Sequence, residues 1–203
     1  MPTEDHATIS AVIAIGLRQL TESEGPPDVV GFSLGGVIAA HVAVRYPELV
    51  RRLIIVGSGG LNTPIGSITL RRVRGLEGEE RRAVNRENLL ALMLHDPAGV
   101  DDLALHLHAI NGARARLDPV HLVLPDKLLA ALPQLSVQVD AVWGEYDRPH
   151  PNPAIQEAAL RRYQPKLEFR IISGAGHWAM YEKPTEFNRT VLSLLGSELR
   201  PNR

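Results

Sequence analysis

The chain contains no cysteine, and this absence excludes several kinds of chemistry. None of its 203 residues can form a disulfide, a thiolate nucleophile or a thiolate metal site. No apolar run approaches the ~18 residues of a membrane span. The formal net charge is -1, so no basic excess favours binding to nucleic acid. We therefore expect neither nucleic acid nor a membrane as a partner.

The sequence also lacks the basic, apolar start of a secretory signal, because Met1 to Asp5 are polar or acidic apart from the initiator. This pattern predicts a cytoplasmic protein. The length predicts one domain, or one domain with an insertion, that buries a sizeable core.

Short apolar runs alternate with helical segments, which predicts a parallel sheet in an α/β protein. Strands are predicted at residues 29–30, 53–56, 137–143 and 167–172, and helices at residues 7–20, 36–45, 154–163 and 184–199. Thr3 or Asp5 would cap the first helix. The run at 53–56 is too apolar to be half solvated and is predicted to be central.

Between the second and third predicted strands the pattern changes to charge clusters and amphipathic helices. This change predicts a mostly helical cap at residues 61–132, inserted into a core formed by residues 1–60 and 133–203. His106 and His108 lie in this segment, but alternate positions of a helix face two directions and do not indicate a metal site.

The sequence GFSLG at residues 31–35 lies between a predicted strand and a predicted helix. In a G-x-S-x-G turn the serine sits on a sharp strand-to-helix bend that lifts its hydroxyl above the sheet. Such a bend requires small residues nearby, and Gly31 and Gly35 meet that need. The alternative is a glycine-rich turn in which Ser33 has no chemical role.

A serine nucleophile needs a base, and the base needs an orienting acid. Asp147 and His177 follow the third and fourth predicted strands, so they lie where that acid and base would have to be. Glu145 and Asp140 are alternative acids. Asp147 is favoured because Asp140 lies inside the predicted strand.

The segments GFSLGG, WGEYDRP and GAGHWAMYEKPTEFN resemble the nucleophile elbow, acid loop and histidine loop of the α/β-hydrolase superfamily. Trp178 after the histidine, the GGL at 59–61 and the EFN at 186–188 are further similar to the meta-cleavage-product hydrolases. The fold that this implies is the C-terminal half of an α/β-hydrolase parallel sheet, with flanking helices and a helical cap.

The resemblance implies a serine hydrolase that acts by acyl transfer on a small carbonyl substrate, without metal or organic cofactor. Ser33, His177 and Asp147 would form the catalytic triad, and the backbone N–H of Leu34 would be one oxyanion-hole donor. The substrate implied is the C–C bond of a 2-hydroxy-6-oxo-dienoate type diketo acid.

Further substrate contacts are implied at Phe32, Trp178 and Arg114, with Arg116 as the alternative cap arginine for the substrate carboxylate. The family usually has asparagine at the position of Phe32. A carboxylic ester is therefore the alternative substrate.

The family also has strands and a His-Gly type loop before the elbow, and that loop gives the second oxyanion donor. Here one predicted helix precedes the elbow strand, and a missing donor costs ~2.7–4 kcal/mol in the transition state. We therefore expect the 203-residue chain to be less active than one restored with such strands. The elbow strand would be an open sheet edge through which a homodimer could form.

Two alternatives to an active hydrolase follow, namely a weak or inactive fragment and a non-enzymatic small-ligand binder. The complete set of triad residues argues against the binder.

Overall fold

One parallel sheet lies at the centre of the computed structural model, which describes residues 5–21 and 25–196. Its strands are β1 (Asp28–Phe32), β2 (Arg52–Val56), β3 (Gln138–Gly144) and β4 (Phe169–Ile172). They lie in the order β1-β2-β3-β4, and every neighbouring pair is parallel. The predicted α/β fold class with a parallel sheet is therefore confirmed.

Helices connect these strands and cover both faces of the sheet. They are α1 (His6–Thr21), α2 (Leu34–Arg45), α3 (Gly78–Leu92), α4 (Asp102–Arg114), α5 (Pro119–Val123), α6 (Lys127–Ala131), α7 (Pro153–Arg161), α8 (Ala179–Glu182) and α9 (Pro184–Leu194). At the start of α1, Asp5 Oδ1 accepts the N–H of Thr8 at 2.8 Å. The other predicted cap, Thr3, and residues 197–199 of the predicted last helix lie outside the described residues. Within those residues, no helix combines the length and the apolarity that crossing a membrane requires.

Strand β2 is buried on both faces, as its apolar sequence predicts. Leu53 and Ile55 face a core that α2 helps to form, and Ile54 and Val56 face a second core that includes residues of α9. The alternation places β2 between two hydrophobic layers. Its carboxyl end therefore lies at an inner position of the sheet.

Strand β1 has one neighbour, β2, among the described residues. Its Val30 is 45% exposed, which leaves an apolar side chain at an open edge. The predicted open edge is therefore present in the described residues, and the homodimer through it stays a prediction.

The segment between β2 and β3 contains helices α3 to α6. Residues 61–77 have no regular helix or strand, and α3 and α4 then pack around a small core of their own. Leu128 and Ala131 of α6 instead lie in the core against the sheet. The boundaries of the two predicted regions stay a prediction.

Candidate active site

Ser33 occupies a strained turn between β1 and α2. Its φ of 51° is rare for a residue with a side chain and costs of order 1–3 kcal/mol. Its N–H donates to the carbonyl of Val56 at 2.8 Å, which fixes the turn to the end of β2. A serine at a helix N-cap normally accepts a hydrogen bond from the first turn, but Ser33 makes no such bond. The hydroxyl is therefore directed elsewhere.

The glycines around the turn differ in whether a side chain would fit at their positions. A Cβ at Gly31 would lie 2.6 Å from both Gly35 O and Gly36 Cα, and a Cβ at Gly36 would lie 2.0 Å from Ser58 Oγ. A Cβ at Gly35 would meet no described atom within 4 Å. The expectation that both Gly31 and Gly35 must be small is wrong for Gly35, because that residue is on the exposed side of α2 and Gly36 makes the close contact.

Ser33, His177 and Asp147 form a hydrogen-bonded row at the carboxyl ends of β1, β4 and β3. His177 Nε2 lies 3.1 Å from Ser33 Oγ, and His177 Nδ1 lies 2.8 Å from Asp147 Oδ2. An ionised Asp147 accepts the Nδ1 proton, which leaves Nε2 free to accept the hydroxyl proton of Ser33. Asp147 is fully buried and His177 is 3% exposed, so little water competes for these bonds. Such a row can deprotonate the serine hydroxyl.

Two histidines share the carboxylate of Asp147. His150 donates to Oδ1 through its backbone N–H at 2.9 Å and through ring Nδ1 at 3.1 Å, while His177 uses Oδ2. Burial acts to raise the pKa of Asp147, but the hydrogen bonds from His150 and His177 outweigh it and hold that pKa below its ordinary value. Asp147 therefore remains an anion at neutral pH.

The alternative acids are engaged elsewhere. Glu145 Oε2 accepts the Ser173 hydroxyl and the Gly174 N–H, both at 2.8 Å. Asp140 is buried within β3, where it accepts the N–H of Glu168 at 3.0 Å. The structure gives neither carboxylate a hydrogen bond to His177, whereas it gives Asp147 one.

Two further residues of this site were missed by sequence reasoning. Gly57 has a φ of 51°, and a Cβ there would lie 3.1 Å from Asp147 Oδ2 and 3.3 Å from His177 Nδ1. Glu182 Oε1 accepts the N–H groups of His95 and Asp96 at 2.8 Å, and its Oε2 accepts that of Gly176 at 2.5 Å. Glu182 thus ties the histidine loop to the segment that follows α3.

The residues predicted to bind substrate lie in different places. Leu34 begins α2, so its N–H is among those that have no partner within the helix, at the positive end of the helix dipole. Phe32 packs with its ring centroid 4.9 Å from that of His177. Trp178 stacks on Tyr181 at 4.6 Å and packs against the core of α3 and α4. Arg114 is exposed in the last turn of α4, where the structure gives it no hydrogen bond or ion pair with another described side chain.

Asp147, His150 and His177 also have the composition of a metal site, with one candidate atom from each within 4.8 Å of the others. Both imidazoles, however, direct Nδ1 at a carboxylate oxygen over hydrogen-bond distances. An ion between them would displace the two protons that organise the row. We assign the cluster no metal, and the expected absence of a metal or organic cofactor stays a prediction.

A cavity of about 510 Å³ lies in the cap rather than at the row. Its lining comes from the segment before α3, from α3 and from α4, and includes Arg74, Arg81, Asn85 and His108. Gly112 and Ala113 also line the cavity, and Arg114 is the next residue in the sequence.

Comparison with known proteins decides the family. The model of the alpha/beta hydrolase family matches residues 2–190. The chain belongs to the α/β-hydrolase family. A 2-hydroxymuconate semialdehyde hydrolase of Pseudomonas putida is 30% identical over 94% of this chain and 67% of its own length. A 2-hydroxy-6-oxononadienedioate/2-hydroxy-6-oxononatrienedioate hydrolase of a Pseudomonas species is 28% identical over 82% of this chain and 62% of its own length.

The predicted resemblance to the α/β hydrolases, and within them to the meta-cleavage-product hydrolases, is confirmed by these relatives. The chain spans about two thirds of their length.

Solved structures show the same fold. A meta-cleavage product hydrolase from Pseudomonas fluorescens superposes with a TM-score of 0.69 at 18% identity, over 95% of this chain and 72% of that one. Naproxen esterase from Bacillus subtilis superposes with a TM-score of 0.70 at 16% identity, over 95% of this chain and 67% of that one. The fold is therefore shared by a meta-cleavage product hydrolase and by an esterase.

Proposed function

We propose that this α/β-hydrolase-family chain is a serine hydrolase in which Ser33 is the nucleophile. One observation carries the proposal, namely the Ser33 Oγ, His177 Nε2, His177 Nδ1 and Asp147 Oδ2 row, with contacts of 3.1 and 2.8 Å. A serine held in a turn of positive φ, with its hydroxyl on an imidazole instead of on its own helix, has the geometry of an activated nucleophile.

In the proposed reaction His177 Nε2 takes the proton of the Ser33 hydroxyl as Oγ attacks the substrate carbonyl. The N–H of Leu34 donates to the oxyanion that forms, and the dipole of α2 stabilises the same charge. His177 then protonates the leaving group, which departs as the carbonyl re-forms. A water molecule repeats the sequence on the acyl-serine, which releases the acid and regenerates Ser33.

A fluorophosphonate probe tests this proposal directly, because it labels serine hydroxyls that an adjacent base activates. We expect one probe per chain, with tandem mass spectrometry locating it on Ser33. An unlabelled chain would instead favour a fragment without activity or a non-enzymatic binder of small ligands.

Two substrate classes fit the site, and two features bear on the choice. The relatives are named as a 2-hydroxy-6-oxononadienedioate/2-hydroxy-6-oxononatrienedioate hydrolase and a 2-hydroxymuconate semialdehyde hydrolase, which favours a diketo acid cleaved at a C–C bond. Phe32 lies beside His177 where those enzymes usually carry asparagine, which favours an ester. We propose a small carbonyl substrate, with a dienoate diketo acid as the first candidate and a carboxylic ester as the second.

We expect Arg114→Ala to lower kcat/KM for acidic substrates more than for neutral esters. Arg114 is exposed, so a contact with a substrate carboxylate is worth at most about 1 kcal/mol, or about fivefold in kcat/KM. Steady-state kinetics on a diketo acid and on p-nitrophenyl acetate measures the difference. Arg189→Ala is the matched control, since Arg189 is also exposed but lies on α9. Equal losses on both substrates for Arg114→Ala would identify a plain carboxylesterase.

A further inference from the structure

A second imidazole lies on the far side of the acid. His150 and His177 bind different oxygens of the same carboxylate, so Asp147 is held between two rings whose centroids are 5.9 Å apart. His150 reaches Oδ1 twice, through its backbone N–H and through ring Nδ1. The Ser33, His177 and Asp147 chemistry does not require this second ring.

The surroundings of His150 hold its ring in place. The residue is 6% exposed, and its ring meets the edge of Trp143 at 6.0 Å and 75°. Gly59 lies against Nε2, because a Cβ built there would be 3.1 Å away. The titratable groups that the structure places against the ring are Asp147 and His177, since Trp143 and Gly59 carry no charge. His150 therefore faces one anion and the proposed base.

We propose that His150 is a positioning residue that acts on His177 through Asp147. Two bonds to Oδ1 prevent the carboxylate from turning about its Cβ–Cγ axis, so Oδ2 stays directed at His177 Nδ1. The same two donors draw negative charge towards Oδ1 and away from the oxygen that His177 uses. The consequence for catalysis rests on the proposed function, whereas the carboxylate geometry does not.

The direction of the effect follows from the charge on the carboxylate. With the His150 ring donor removed, Asp147 holds its charge nearer to His177 and stabilises the imidazolium more strongly. The hydrogen bond from His177 Nδ1–H to Oδ2 should then strengthen, and the resonance of that proton should move downfield. The carboxylate should also turn more freely, which lowers kcat by about tenfold through misplacement of the base.

Two substitutions separate this role from simple packing. His150→Phe keeps a ring of similar size against Trp143 but removes the Nδ1 donor, and His150→Asn places an amide N–H near the position of Nδ1. Both keep the backbone donor. The NMR resonance of the His177 Nδ1–H proton reports on the base itself and needs no turnover, and thermal unfolding shows whether each variant is folded.

We expect His150→Phe to move this resonance downfield and His150→Asn to leave it near the parent position. An identical His177 Nδ1–H resonance in parent and His150→Phe would overturn the proposal, as would equal shifts in both variants. In the unsubstituted protein, nitrogen-15 spectra should show the proton of His150 on Nδ1, and a proton on Nε2 instead would overturn it without any variant. A chain that fails to label at Ser33 but shows the expected His177 shift would refute the proposed function and leave this inference standing.

Discussion

Ser33→Ala is expected to lower the turnover of p-nitrophenyl acetate by at least about a thousandfold, because the acyl-serine cannot form without Oγ. The row of His177 and Asp147 would remain, but it would have no hydroxyl to activate. Initial rates at saturating ester measure the loss. Circular dichroism and thermal unfolding of the same sample show whether the fold is retained.

Ser58→Ala is the matched control for this prediction. Ser58 is a buried serine close to the elbow, and its hydroxyl donates to the carbonyl of Val56 at 3.3 Å. We expect its substitution to leave turnover within a few-fold of the parent, because that bond is weak and Ser58 has no base beside it. A Ser33→Ala chain that retained full turnover would assign the hydrolysis to another group.

Gly31→Ala is expected to destabilise the fold by about 1–3 kcal/mol and to abolish most activity. Its Cβ would lie 2.6 Å from backbone atoms of both Gly35 and Gly36, and backbone cannot rotate away as a side chain can. The elbow would have to move, and a displacement near 1 Å costs about a hundredfold in rate. Chemical denaturation measures the first effect, and ester turnover measures the second.

Gly35→Ala separates the steric cause from a general effect of alanine at this turn. A Cβ at Gly35 meets no described atom within 4 Å, and alanine favours a helix by up to about 1 kcal/mol over glycine. We expect this variant to be as stable as the parent or more stable, with comparable turnover. Equal destabilisation by the two substitutions would show that the close approach at Gly31 is not the cause.

The strands and helices could be predicted from the sequence because their apolar patterns are local. The run at 53–56 predicted a central strand, and β2 is buried on both faces. The predicted start of the second helix at residue 36 was two residues late, because α2 begins at Leu34, directly after the bend. Gly35 and Gly36 in the first turn have low helix propensity, and a Cβ at Gly36 would lie 2.0 Å from Ser58 Oγ and 2.9 Å from Gly31 O.

The positions of Ser33, Asp147 and His177 were predictable because each follows a parallel strand, and the carboxyl ends of such strands meet at one edge. The other residues of the site were not. Gly57 and Glu182 act through contacts with residues distant in sequence, and no local pattern marks those contacts. His150 is three residues from Asp147, but its contact with Oδ1 depends on how the loop folds back.

The contacts of Glu182 link two parts of the molecule that lie about 80 residues apart in sequence. A single carboxylate accepts three backbone N–H groups, two from His95 and Asp96 between α3 and α4 and one from Gly176, the residue before His177. Any motion that lifts His95 away also takes a partner from the anion that orders the histidine loop. The position of the histidine loop is therefore coupled to the position of the segment that follows α3, because one carboxylate binds both.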